Sequence, residues 1–337
     1  MTRLWTDGFE FRDLYGYCSG ANSNVNTTQK RSGNASAFIN NTGPTSEGWF
    51  RFSVDAIDEF YLRFGVYVLT TKDWPFIRWK SGDTTVGYIG FSGCNVITAY
   101  TTVGGSVGAG ATSLFEETWY LIEAHVKIDA AAGVIEVKLD GKTTLEIDFT
   151  GNTGAGTVDT IEFFMGYGGL GEAQNAWFDD IALNDTAGGV DDSWPGEGKI
   201  IVMMPNDDSA PLELTPSAAV DHHLLVDEVP SDDDVTYVEG SVVDEEDMYK
   251  LTPSGLVDVD INRVWTEART RKTTAIDGKV ALITKAAGGA EVSGGDRELL
   301  TTYSLKILGA EELENPVDSN PWEVADIDLI EIGPRTR

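Results

Sequence analysis

Between residues 119 and 149 apolar and polar side chains alternate so regularly that the segment reads as paired β-strands. In the run from Trp119 to Asp129, Tyr120, Ile122, Ala124, Val126 and Ile128 share one face, while Glu123, His125 and Lys127 share the other. A period of two marks a half-buried strand, because a helix returns to the same face only every 3.6 residues or about that. The next run sets Ile135, Val137 and Leu139 against Glu136 and Lys138 and ends at Asp140-Gly141, where glycine accepts the positive φ of a tight turn. A third strand follows with Leu145, Ile147 and Phe149 inward.

The same reading extends along the chain. Strands are expected over 49–54, 60–69, 161–167, 176–183, 199–204, 257–265, 279–284, 301–308 and 326–332. The acid-crowded stretch 205–250 reads as loop, and so does Gly104-Gly105 to Gly110. There is no internal repeat and no long helical period. With 37 glycines and 9 tryptophans, the composition suits many short strands joined by tight turns. At 337 residues the chain is too long for one ordinary sandwich, so two domains are expected. Segment 184–198, rich in Asn, Asp, Gly, Ser and Pro, has the composition of a boundary.

Charge narrows the partners. The 55 acidic side chains against 24 Lys and Arg give a net charge of −31, which repels phosphate backbones and anionic bilayers, so neither nucleic acid nor membrane is expected as a partner. No apolar run is long enough for a membrane helix, and Met1-Thr-Arg-Leu-Trp-Thr-Asp7 lacks the apolar core of a secretion signal. Synthesis in a cytoplasm without a signal peptide is therefore the expectation. Two cysteines, Cys18 and Cys94, do not make a disulfide framework and are expected as free thiols.

Residues 1–188 resemble the concanavalin A-like lectin and glucanase superfamily, in particular its laminin G-like jelly rolls. The matching features are Asp7-Gly-Phe-Glu10, the strand Gly48-Trp-Phe-Arg-Phe-Ser53, the hairpin from Trp119 to Gly141, and a closing strand Trp177-Phe-Asp-Asp-Ile-Ala-Leu183. The remainder is similar to structural proteins of tailed bacteriophages, on Asp192-Ser-Trp-Pro-Gly-Glu-Gly198, Val226-Asp-Glu-Val-Pro230 and Asn320-Pro-Trp-Glu-Val-Ala-Asp326. Together these imply an all-β chain: a concanavalin A-like jelly-roll sandwich over 1–188, a linker over 189–198, and a smaller β-rich module over 199–337. The resemblance implies a virion structural protein of the capsid surface (decoration or head fibre) or tail. It would be oligomeric or multicopy, contact other virion proteins through the second module, and have no catalysis. A lectin-like module for host or mucus glycans is the alternative, and a degenerate glycanase a further one.

The chemistry open to such a chain is limited. Glu146-Ile-Asp148 invites comparison with laminarinase-like enzymes, whose Glu-x-Asp-x-(x)-Glu strand supplies nucleophile and acid/base. A retaining mechanism needs two carboxyls about 5–5.5 Å apart, but Thr150 and Gly151 stand where the second glutamate would be. His125 stands alone on a polar strand face, and His222-His223 lie adjacent in a loop. The superfamily resemblance implies a structural calcium ion, for which Asp7, Glu10, Asp179 and Asp180 would supply hard oxygen ligands. Sugar binding requires exposed aromatic faces, and Trp74, Trp79 and Tyr88 are the candidates, with core packing as the competing role.

Overall fold

The computed structural model describes residues 3–14, 18–20, 22–41, 47–69, 74–92, 95–166, 174–187, 189, 191–274, 277–287, 289 and 291–337. The chain divides into two compact units, Met1–Ile201 and Val202–Arg337.

The strands of the first unit are β1 (Arg3–Asp7), β2 (Cys18–Ser19), β3 (Ser23–Asn26), β4 (Ser36–Asn41), β5 (Gly48–Ile57), β6 (Glu59–Val68), β7 (Trp74–Ser81), β8 (Thr84–Phe91), β9 (Ile97–Thr101), β10 (Gly105–Ala109), β11 (Trp119–Lys127), β12 (Gly133–Leu139), β13 (Ile147–Gly151), β14 (Val158–Met165) and β15 (Gln174–Asn184). One antiparallel sheet runs β13-β12-β11-β6-β15-β4-β3, with β1 also on β15, and the other runs β10-β9-β8-β7-β14-β5-β2. Their apolar faces meet. Phe163 of β14 stacks on Phe50 of β5 at 4.8 Å and meets, edge-on, Phe64 of β6 at 5.5 Å and Phe178 of β15 at 5.1 Å. This is the all-β, concanavalin A-like jelly-roll sandwich.

The hairpin forms as its pattern requires, with Ile122 opposite Leu139, Val126 opposite Ile135, and β13 continuing the sheet through Val137 opposite Ile147. The turn that ends β12 uses two positive φ values, 52° at Asp140 and 66° at Gly141, and the chain rejoins the sheet at Ile147. Gly105 to Ala109, expected as loop, is instead the edge strand β10, pairing Ser106 with Tyr100. Gly108 serves there for close approach rather than flexibility, since a Cβ would lie 2.6 Å from Ile147 Cγ2.

Segment 189–198, expected as a linker, falls within the first unit. Trp194 lies edge-on to Tyr61 at 5.5 Å and to His125 at 6.1 Å, and Gly196 N–H donates to Glu123 at 2.7 Å.

In the second unit one sheet runs Pro205–Leu212, Asp247–Leu251, Glu331–Thr336, Lys279–Lys285, Glu291–Ser293, with Arg297–Glu298 also on Lys279–Lys285. Val264–Thr270 pairs with Ser304–Glu312, and Thr215–Pro216 with Val238–Glu239. The buried clusters are small: Met248, Ala281 and Ile283 in one, Ala286, Trp322, Ile327 and Ile330 in another. Four local expectations are corrected. Residues 199–204 are not a strand, and the acidic stretch after them holds Pro205–Leu212 and Asp247–Leu251. Residues 257–263 contribute only an isolated bridge, Ile261 to Trp322. The ending opens with a helical turn, Val324–Ile327, closed by a reciprocal capping box between Glu323 and Asp326, and the strand starts only at Glu331. In each case backbone pairing or capping supplied what apolar periodicity did not show. Among the described residues no helix is long and apolar enough to cross a membrane. Cys18 pairs through its backbone with Arg51, while Cys94 lies outside the described residues.

Candidate functional site

The core fixes which side chains of the second sheet point outward. Phe50, Phe52, Ile77, Trp79, Ile89, Ile161 and Phe163 belong to the core cluster. Strand alternation therefore turns Trp49 and Arg51 of β5, Glu162 and Phe164 of β14, Arg78 and Lys80 of β7, Tyr88 of β8 and Tyr100 of β9 to the other face.

These outward residues form one row across the sheet. Arg51 lies opposite Glu162, Glu162 opposite Arg78, Arg78 opposite Tyr88, and Tyr88 opposite Tyr100. Five neighbouring strands carry it over a span of about 19 Å. Arg78 Nε donates to Glu162 Oε1 at 2.7 Å and Nη2 meets the same oxygen. On the other oxygen, Lys80 Nζ stands at 3.5 Å and Arg51 Nη1 at 3.9 Å. Glu162 is 2% exposed beneath these three arms. The Arg78 guanidinium sits 3.4 Å over the Phe164 ring and the Arg51 guanidinium 4.8 Å over Trp49. At the row's far end Tyr88 and Tyr100 stack at 4.7 Å, both half-buried. Burial first, then Tyr100, pushes the Tyr88 hydroxyl up, so it remains a donor.

On the first sheet, residues 194–200 lie across one part of the outer face, and an aromatic row of Trp119, Tyr67, Trp177 and Phe38 occupies another. Lys138 Nζ caps the Trp194 ring at 3.7 Å, Arg63 Nη1 donates to the Gly196 carbonyl at 3.1 Å, and Arg31 Nη1 to the Gly198 carbonyl at 3.0 Å. His125, expected to stand alone, is held between Glu136 at 2.8 Å and Glu59 at 2.9 Å and stacks on Tyr61 at 4.2 Å.

Of the aromatic candidates, Tyr88 lies on the open face. Trp79 does not: it is 1% exposed, edge-on to Phe60, with Gly87 leaving room for its ring. Alternation in β7 sends Ile77 and Trp79 inward and Arg78 and Lys80 outward, which excludes Trp79 from a surface site. Trp74 has its backbone in β7, and its side chain lies outside the described residues. Trp49, Arg51, Arg78, Lys80, Tyr100 and Glu162 were not anticipated. Their signal was the charged residue between apolar neighbours, as in Phe50-Arg-Phe52 and Ile161-Glu-Phe163.

The four acids expected around calcium are engaged by the protein itself. A bulge in β15, with Asp180 at φ 52°, aims Asp179 and Asp180 into the interior. Asp179 accepts the N–H groups of Arg31, Ser32 and Asp180 at 2.8–3.1 Å. Its carboxyl is nevertheless pushed up to about 8, by burial and then by Asp180. Asp180 accepts Ser32 Oγ at 2.7 Å, Ile200 N–H at 2.8 Å and Arg31 Nη1 at 2.7 Å. Asp7 accepts Phe9 N–H at 2.7 Å. Glu10 accepts Asn34 N–H at 2.7 Å, and its Oε1 is buried without a hydrogen-bond partner. Among the described residues no three His, Cys, Asp or Glu side chains are placed to hold a metal ion. With Arg31 supplying the positive charge, the set does not fit a calcium cage.

The glycanase comparison also closes. Glu146 spends its oxygens on the Ala111 and Thr112 N–H groups at 3.1 Å and on the Thr112 hydroxyl. Burial pushes its carboxyl up, but these three donors together hold it below the usual range. Asp148 is exposed opposite Glu136. In the second unit His222 and His223 sit on a single helical turn and meet Asp247 at 2.6 Å and Asp208 at 3.1 Å.

No family model matches the chain, and no curated protein does. Solved structures that it resembles include a cellulose-induced protein, Cip1, at 17% identity and TM-score 0.44, over 58% of this chain and 100% of that one. Domain 4 of AbnA, an extracellular arabinanase from Geobacillus stearothermophilus solved with arabinotriose, aligns at 10% identity and TM-score 0.38, over 55% of this chain and 92% of that one. A Bacillus subtilis protein with a galectin-like fold aligns at 11% identity and TM-score 0.33, over 55% and 96%.

Proposed function

We propose that the first unit is a non-catalytic carbohydrate-binding module that holds a glycan along the outer face of β5, β14, β7, β8 and β9. The observation behind this reading is the cross-sheet row itself. It combines a stacked tyrosine pair, on which sugar C–H groups can rest, with a fixed network of charged donors that can order hydroxyl groups. Side chains held in place before binding lose little freedom on binding, which favours recognition of a flexible polar ligand. The opposite sheet also carries an outward aromatic row, Trp119, Tyr67, Trp177 and Phe38, but Tyr67 and Trp177 are each only 8% exposed and the row lacks a comparable charged network. Glu146 gives no support to a glycanase, since its oxygens are committed to residues 111 and 112.

The virion-coat role expected from the resemblance of the second half draws on sequence alone. The geometry of the first unit favours attachment to a glycan over coating. A glycan array followed by titration tests the proposal. Replacing both Tyr88 and Tyr100 by alanine is expected to weaken binding roughly tenfold or more, at one or more kcal/mol per aromatic contact, with the melting profile of the sandwich retained. Full binding by that variant, or no array signal from the wild type, would overturn it.

A further inference from the structure

We infer that the glycan taken by this face is acidic, with carboxylate or sulfate groups seated on Arg51, Arg78 and Lys80. The inference rests on the carbohydrate-binding reading above and specifies its ligand class.

The chain carries 55 acidic and 24 basic side chains, so a convergence of cations runs against its whole composition. Three meet here on one buried carboxylate. Fixing Glu162 requires only Arg78, whose Nε and Nη2 both reach Oε1. Arg51 and Lys80 approach the other oxygen at 3.9 and 3.5 Å, beyond hydrogen-bond length. Arg51 also faces Asp83 at 3.6 Å, but Asp83 is 97% exposed in the turn after β7. Even with both acids counted, the cluster keeps a net positive charge.

Its geometry suits planar anions. Phe164 beneath Arg78 and Trp49 beneath Arg51 each support a guanidinium from below. The arginine side chains stay open to solvent, 20% exposed for Arg78 and 29% for Arg51, with Lys80 at 10% behind them. A guanidinium fixed in this way presents paired N–H donors matched to the two oxygens of a carboxylate or sulfate. One strand further along, Tyr88 and Tyr100 offer a ring surface. A sugar polymer laid along the row would place anionic groups on the cations at one end and pyranose rings on the tyrosines at the other. A polyanion without sugar rings would use only half of it.

The test is affinity electrophoresis and calorimetry with polygalacturonate, dextran sulfate, unsubstituted dextran, laminarin and polyphosphate, at one ionic strength. Retardation by polygalacturonate or dextran sulfate is expected, and which of the two binds identifies the anionic group. The double variant Arg51→Gln, Lys80→Gln leaves the Arg78–Glu162 clamp intact and is expected to lose roughly tenfold or more on the acidic polymer. Equal affinity for polyphosphate would overturn the inference, because the rings would then play no part. Binding to dextran or laminarin that persists in the double variant would overturn it while leaving the carbohydrate-binding reading intact. Binding to none of the glycans would remove both.

Discussion

Arg31 and Asp180 form a closed ion pair inside the first unit, with Arg31 Nη1 2.7 Å from an Asp180 oxygen whose side chain is 0% exposed. The same nitrogen donates to the Gly198 carbonyl, and the other Asp180 oxygen accepts Ile200 N–H. The pair therefore ties the chain after Trp194 to the kinked strand β15, with a guanidinium as its cation.

Arg31→Gln should strip Asp180 of its nearest positive charge. Removing one partner of a buried pair costs about 3 kcal/mol or more, and thermal melting should show that loss. Calcium added to the wild type should leave the melting temperature where chelator leaves it, because a bound ion at a hundredfold excess over its Kd would add about 2.7 kcal/mol. A calcium-dependent rise would show instead that the four acids rearrange into a cage.

Glu10 should make the fold pH-sensitive, alongside Asp179, whose carboxyl is raised to about 8 and acts with the same sign. Burial, opposed by the Asn34 and Ala35 N–H groups, raises the Glu10 carboxyl from an ordinary 4.5 to about 7. A raised acid holds its proton in the folded state after the unfolded chain has released it. Its contribution is thus full below pH 4.5 and lost as pH rises through 7. Melting temperature should fall across that window. Glu10→Gln, which places an uncharged amide beside the space now holding Oε1, should flatten the fall relative to the wild type. Parallel curves for the two proteins would remove Glu10 as the cause.

How much of this was legible follows from what each segment used to hold its shape. Val126, Ile135 and Val137 announce their strands because the core rewards alternation there, and the β11–β12 hairpin appears as read. Pro205–Leu212 does not, because Pro-Asn-Asp-Asp-Ser-Ala-Pro-Leu contains almost no apolar face and is recruited by backbone pairing to Asp247–Leu251. The binding face was half legible. Tyr88 could be picked out as an aromatic in a polar context, but Trp79 was chosen for the same reason and is core. Only the phase of alternation separates them, and that phase depends on β7 pairing with β14, a contact between residues more than eighty positions apart. The calcium expectation could not take in the Arg31 guanidinium, which lies 149 positions from Asp180 in sequence and meets it only in the fold.

Asp247 is the polar centre of the second unit. Fully buried, it accepts the His222 ring at 2.6 Å, the Tyr249 hydroxyl at 2.9 Å, and the Glu213 and Leu214 N–H groups at 2.8 Å. Burial and then Asp247 push the Tyr249 hydroxyl far up, so it stays a donor. Asp247→Ala orphans four donors at once, at about 1–3 kcal/mol each when left unpaired. With apolar clusters this small, that loss should unfold the unit, and protease cleavage should concentrate within 202–337 while the sandwich resists. Even cleavage of both halves would show that the two units do not unfold separately.

Trp194 separates a strap from a loose linker. Its ring lies edge-on to Tyr61 and His125 under the Lys138 ammonium, and two residues later Gly196 is held through both N–H and carbonyl by Glu123 and Arg63. Aromatic contacts of this kind add about 0.5–1.5 kcal/mol beyond buried area, and the cation over the ring adds about 0.5–1 kcal/mol more. Trp194→Ala should therefore lower the melting temperature of the sandwich by roughly 2–10 °C. It should also speed hydrogen exchange at the Gly196 and Ile200 amides, whose acceptors, Glu123 and Asp180, stay buried. Glycan affinity should not change, because the strap lies on the sheet opposite the Tyr88–Tyr100 row. A loss of affinity without a loss of stability would move the binding face to the strapped sheet.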